Sequence, residues 1–260
     1  MMNVGSRFLR SVGFLLLVCV GISACAQNRS DTKACDSVCS SCKGEGKAAA
    51  PVAPKKVSIL GDSYSTFKGY IPEDFIAWYL PVPKEGRPTD VTEVEQTWWD
   101  IFIKKHGYQL ETNNSYSGST ICNTGYSKQD YSDRSFINRV DQLGNPDLIL
   151  VYGGTNDSWA GSPLGKYVYE GWTPKQLYSF RPATAYMLSE LKRLYPKARI
   201  LFMVNGPDVL KPEVITSIQE ICNHYGVEYV MINDIEKMSG HPDQKGMLQI
   251  VDYLDETVKD

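Results

Sequence analysis

From about residue 56 onward, short apolar runs alternate with segments whose apolar residues recur at helical spacing. Val57-Ser58-Ile59-Leu60 is a short, mainly apolar run that stops at Gly61 and reads as a buried strand. Trp98 to His106 has helical spacing and halts at Gly107, and Tyr108 to Asn113 reads as a second strand. Asp147 to Tyr152 is the strongest strand signal, introduced by Asn145-Pro146 and closed by Gly153-Gly154. Ala183 to Tyr195 places Met187, Leu188, Leu191 and Leu194 on one helical face and stops before Pro196. Ala198 to Asn205 is a further strand. Pro212 to His224 is a helix with proline in its first turn and Gly226 just past its end. Val227 to Ile232 closes the series as a fifth strand.

Strands alternating with helices at this spacing predict an α/β fold: a three-layer α/β/α sandwich around a mainly parallel five-stranded sheet. Ligands of such sheets sit beyond the carboxyl ends of the strands. The segments there are Gly61-Asp62-Ser63, Ser115 to Ser119, Gly153 to Asp157, Asn205-Gly206, and the stretch leading to His241.

Ahead of this domain the pattern changes. Residues 1–24 carry Arg7 and Arg10 before an apolar, small-residue stretch too short to span a bilayer comfortably, which reads as an export signal. Its end, Ile22-Ser23-Ala24-Cys25, resembles a bacterial lipobox, which implies lipid attachment at Cys25; an ordinary cleavage site in Ala24-Cys25-Ala26 is the alternative. The expected location is therefore outside the cytoplasm, lipid-anchored to a bacterial membrane surface. Residues 25–55 lack periodicity and read as a tether, leaving 56–260 as the folded domain. Cys35, Cys39 and Cys42 lie in that tether. Exported cysteines pair as disulfides more often than they bind clusters, and three leave one over.

Composition adds exclusions. A net charge of −3 gives no basic footprint for nucleic acid. Three histidines, and no histidine-rich or paired-carboxylate cluster, argue against a metal site, and no cofactor is expected. His106 and His224 end helices, where a cation favours the dipole. His241, in Gly240-His241-Pro242, has no such role.

The four blocks Gly61-Asp62-Ser63, Gly118, Gly153-Gly154-Thr155-Asn156-Asp157 and His241-Pro242 resemble, in order, those of the SGNH/GDSL hydrolases, across essentially the whole domain. The resemblance implies an ester-cleaving enzyme with Ser63 as nucleophile and His241 as general base. It implies an oxyanion hole from the Ser63 and Gly118 N–H groups and the Asn156 side chain. The chemistry needs these types: a serine hydroxyl needs a base, and the tetrahedral oxyanion needs fixed donors. One departure stands out. The family's acid three residues before the histidine is Met238 here. A backbone carbonyl could orient His241 in a Ser–His dyad, Asp234 or Glu236 could reach it, or the site could be impaired.

Two irregular stretches, about 64–96 and 158–180, follow catalytic blocks and are expected to overhang the site. Their aromatics suggest stacking on sugar rings. Asp62, Trp78, Tyr152 and Trp159 are taken as candidate substrate-binding residues. The expected substrate is an acylated glycan losing acetyl or a similar small acyl group. A lipid esterase, lysophospholipase or thioesterase with the same machinery, and a decayed glycan-binding lipoprotein, are the competing readings.

Overall fold

The computed structural model describes residues 53–259; the export segment, Cys25 and the tether cysteines at 35, 39 and 42 lie outside them. Five strands form one parallel sheet in the order β2-β1-β3-β4-β5: β1 (Lys56–Gly61), β2 (Gln109–Ser115), β3 (Leu148–Tyr152), β4 (Arg199–Asn205) and β5 (Glu228–Ile232). Strands β1, β3 and β4 are nearly continuous apolar runs because both faces of the sheet are covered. Side-chain alternation sorts them. Val57, Ile59, Leu148, Leu150, Leu201 and Met203 face one layer, which holds α1 (Trp98–Lys105) and α5 (Gln244–Thr257). Leu60, Ile149, Val151, Ile200, Phe202 and Val204 face the other, which holds α3 (Phe180–Leu194) and α4 (Pro212–Tyr225). A short helix, α2 (Thr155–Ala160), follows β3 directly.

Helix α2, a fifth helix α5 and a short hairpin lie beyond the elements that the sequence pattern predicted. Helix α5 buries Met247, Ile250, Val251 and Leu254 on one face, and Asp243 caps it by accepting from the Gly246 N–H at 2.8 Å. Before it, β6 (Lys237–Met238) and β7 (His241–Pro242) form a two-stranded antiparallel hairpin. Its turn residues Ser239 and Gly240 have φ of 53° and 75°, the signature of a two-residue type I′ turn.

Chain order makes the strands leave β1 in opposite directions, to β2 on one side and to β3 on the other. The crevice between the ends of β1 and β3 is thus the topological switch point, where open α/β sheets bind ligands. A buried guanidinium secures this edge. Arg139 uses all five of its donors: Nε to the Arg134 carbonyl at 2.9 Å, Nη1 to the carbonyl and Oδ1 of Asn114, and Nη2 to the Gly61 carbonyl at 3.2 Å and Ser119 Oγ at 3.0 Å. Desolvation pushes its pKa down to about 9. Replacing it by methionine strands these acceptors, and each buried unsatisfied group costs about 1–3 kcal/mol. The expected result for Arg139→Met is a clear loss in the urea midpoint; an unchanged midpoint would show that water replaces the guanidinium freely.

Candidate active site

The sharp end of β1 generates the first block. Asp62 caps a 3-10 turn over Ser63–Ser65 by accepting from the Tyr64 N–H at 3.1 Å, which presents Ser63 at the sheet edge. Ser63 Oγ lies 2.9 Å from His241 Nε2, although the two are 178 residues apart in sequence. Both stand at the floor of a cleft of about 290 Å³, together with Gly118 and Asn156. Among the described residues, the backbone N–H groups of Ser63 and Gly118 have no protein acceptor. Gly118 has φ of +83° and open space where a Cβ would stand, so backbone conformation, more than room, calls for glycine there.

Asn156 reaches the cleft from the first turn of α2. Its Oδ1 accepts from the Tyr126 hydroxyl at 2.8 Å, which fixes the amide orientation. Its Nδ2 donates to the Ser119 carbonyl at 3.0 Å and lies 3.4 Å from Asp62 Oδ2. The longer of these two contacts is the weaker and the easier to displace. Asp157, its neighbour, points inward and accepts from the N–H groups of Ile121 at 2.7 Å and Cys122 at 3.2 Å, anchoring the chain that follows Gly118. Burial raises the Asp157 carboxyl to about 6 and that of Asp62 to about 7.

The hairpin supplies the histidine and its orienting group. His241 Nδ1 stands 3.2 Å from the Ser239 carbonyl, so Nδ1–H donates to it and Nε2 is left to accept from Ser63 Oγ–H. Neither alternative acid reaches it. Glu236 pairs with Lys245 at 3.0 Å, and Asp234 lines a separate surface groove with Asp252 and Tyr253. Two tyrosines pin the loop: Tyr64 donates to the Gly240 carbonyl and Tyr79 to that of Pro242, each at 2.8 Å. The ring is walled by aromatics, with Trp78 stacked on it at 3.4 Å and 9° and Tyr64 edge-on at 5.2 Å. Desolvation lowers the His241 pKa to about 4, with a smaller push from the Arg87 charge, against the bond to Ser239. The imidazole is neutral at pH 7.

The other sequence candidates divide. Trp159, at the end of α2, is 45% exposed and stands edge-on to His241 at 6.3 Å, with its Nε1 donating to the Val209 carbonyl. Trp78 lines the cleft, but one of its faces is taken by His241. Two candidates need correction. Tyr152 is buried in the layer under α1 and α5, bonded to Asn205 at 2.7 Å, and cannot touch a bound ligand. Asp62 is also buried, and it holds the Ser63 turn and Asn156. Of the stretch at 158–180, only Trp159 lines the cleft. Tyr167 lies under Arg181, Tyr169 stacks on His224, and Trp172 meets Tyr186 edge-on, all against the α3–α4 layer. His106 caps the C-terminal end of α1 and bonds Asp255 at 2.7 Å. Tyr126, Ile76, Arg87 and Ser117 complete the cleft and carried no sequence signal. Among the described residues, no cluster of three histidine, cysteine or acidic side chains is placed to hold a metal.

A family model for GDSL-like lipase/acylhydrolase matches residues 55–258. A protein of Bacteroides uniformis ATCC 8492, named as a GDSL-like lipase, is 58% identical, with a TM-score of 0.76 over 79% of this chain and 95% of that one. Another, from Bacteroides ovatus ATCC 8483 and named in the same way, is 53% identical, with a TM-score of 0.77 over 79% of this chain and 98% of that one. A carbohydrate esterase shares the fold at 16% identity, with a TM-score of 0.58 over 80% of this chain and 69% of that one. No curated protein matches the chain. The site at the switch point, the family match and the two Bacteroides structures agree: the chain belongs to the GDSL-like lipase/acylhydrolase family and is a hydrolase of ester bonds.

Proposed function

We propose that the protein is a carbohydrate O-acyl esterase that removes acetyl or a similarly small acyl group through an acyl-enzyme on Ser63. The carrying observation is the 2.9 Å contact between Ser63 Oγ and His241 Nε2 at the floor of a cleft rimmed by the exposed indole of Trp159. Ser63 Oγ attacks the ester carbonyl while its proton passes to His241 Nε2. The oxyanion is met by the N–H groups of Ser63 and Gly118 and, after displacement from Asp62, by Asn156 Nδ2. The imidazolium gives its proton to the leaving sugar hydroxyl. Water then repeats the cycle on the acyl-enzyme, with His241 again the base. His241 works without a carboxylate partner, held by the Ser239 carbonyl and the Trp78 ring.

The cleft volume of about 290 Å³ favours a small acyl group over a lipid chain, since it falls just under the roughly 300–1,000 Å³ usual for ligand pockets. A carbohydrate esterase of the same fold lends support to glycan esters as substrates. We further infer export and lipid attachment at Cys25, on the strength of the sequence over residues 7–25.

Acetate release from acetylated oligosaccharides is expected for the wild type and absent for Ser63→Ala and His241→Ala; preference for long-chain esters would overturn the small-acyl reading. Asp234→Asn is expected to keep most of its activity, and a collapse with folding intact would end the dyad model. Asn156→Ala is expected to lower kcat by about a hundredfold, the usual loss for one oxyanion donor. The general base must be neutral, and its pKa is lowered, so kcat/KM is expected to hold as pH falls through 6.5 and to drop only at about 4. A limb near 6.5 that persists in Asp62→Asn would contradict the desolvated histidine.

A further inference from the structure

One cleft residue has no part in the chemistry above. Arg87 lines the same wall as Trp78, with its guanidinium 5.1 Å from the centre of that ring. It is exposed, and among the described residues it has no ion pair and no side-chain hydrogen bond. Its backbone is held. The Arg87 N–H donates to the Lys84 carbonyl at 3.0 Å, and the following residues are pinned where Gln244 donates to Asp90 Oδ1 at 3.0 Å and to its carbonyl at 2.7 Å. The cation thus stands on an anchored turn beside the nucleophile.

The remaining lining contains no carboxylate, and His241 is neutral at pH 7. The two acids near the floor, Asp62 and Asp157, are buried and turned to backbone N–H groups. Among the described residues, Arg87 is therefore the one formal charge that a ligand in this cleft meets. A guanidinium offers five donors and no acceptor, and its planar fork matches a carboxylate with two parallel bonds. A single cation balances a monoanion. The neighbouring indole edges of Trp78 and Trp159 supply apolar surface for a ring carrying that anion.

We propose that Arg87 is a specificity residue that binds a carboxylate on the sugar unit carrying the scissile ester, so that the preferred substrates are acyl esters of acidic sugars. The proposal rests on the glycan-ester reading above and narrows it to a substrate class.

The test compares acetate release from three matched oligosaccharides: O-acetylated galacturonate, its methyl-esterified form, and O-acetylated galactose. The wild type is expected to favour the free uronate in kcat/KM by about tenfold or more, the scale of one charge-assisted bond pair in a partly exposed site. The methyl ester has the same ring without the charge and is expected to behave as galactose does. In Arg87→Gln the uronate-to-galactose ratio is expected to fall near one, whatever the variant does to absolute rates, and Arg87→Lys is expected to restore part of it. Equal rates on the three substrates in the wild type, or a uronate preference that survives Arg87→Gln, would overturn the assignment. Failure on all three sugars with turnover of p-nitrophenyl acetate would instead overturn the glycan reading itself, so the two failures are distinct.

Discussion

The site depends on a charge that never meets its ligand. The Arg139 guanidinium is buried beneath the cleft with no carboxylate in contact, and all five donors end on oxygens of four separate segments. Taking a cation out of water is costly, and only full satisfaction of its donors makes the position tenable. That requirement fixes geometry. The carbonyl of Gly61 ends β1, Asn114 lies at the end of β2, and Ser119 follows the glycine proposed to bind the oxyanion. One side chain therefore sets the spacing between the strand that leads to Ser63, its neighbour and the Gly118 loop. Asp157 completes the arrangement from α2, gripping the same loop two residues further on. The loop is clamped at both ends by buried charges of opposite sign, which suits donors that must already be in place when an oxyanion forms.

Much of this was legible in the sequence, for reasons that differ by element. Strands β1, β3 and β4 stood out because burial on both faces leaves them continuously apolar, with Gly61 and Gly153 marking their ends. Helix α4 announced itself through Pro212 and Gly226. Helix α5 carries its period in Met247, Ile250, Val251 and Leu254, yet Gly246 in its first turn and the Gly240-His241-Pro242 turn just before it mask its start in the sequence. The hairpin over 237–242 is too short to carry periodicity, and only Gly240 hints at it.

Side-chain parity separates the site candidates that face the cleft from those that do not. Tyr152 shares the face of Leu148 and Leu150, so it points under α1 and α5, an outcome that strand alternation contains in principle. Asp62 sits in the right block, but a short side chain before a tight turn is drawn to the turn's own N–H groups. Arg139, Tyr126 and Arg87 had no local signature at all. Each matters through partners distant in sequence, and such pairings leave no local pattern in a single chain. The aromatic-rich stretch at 158–180 shows the converse. Tyr167, Tyr169 and Trp172 suggested a ligand wall, yet their flat surfaces are used to cover the α3–α4 layer.

Met238 occupies the place where the resemblance to SGNH/GDSL hydrolases implies an acid, and the hairpin offers His241 a backbone carbonyl in its stead. Met238 pairs with His241 across the turn, and that tight turn brings the Ser239 carbonyl to Nδ1. A carboxylate can be lost through one codon, whereas a carbonyl belongs to every residue. The group facing His241 Nδ1 is thus a backbone atom, which no side-chain change removes directly. Its fragility is transferred to the backbone, to Ser239 and Gly240, whose φ angles of 53° and 75° most side chains resist. A substitution at either turn residue would shift His241 by reshaping a bend, with the Ser63 and His241 side chains still in the gene.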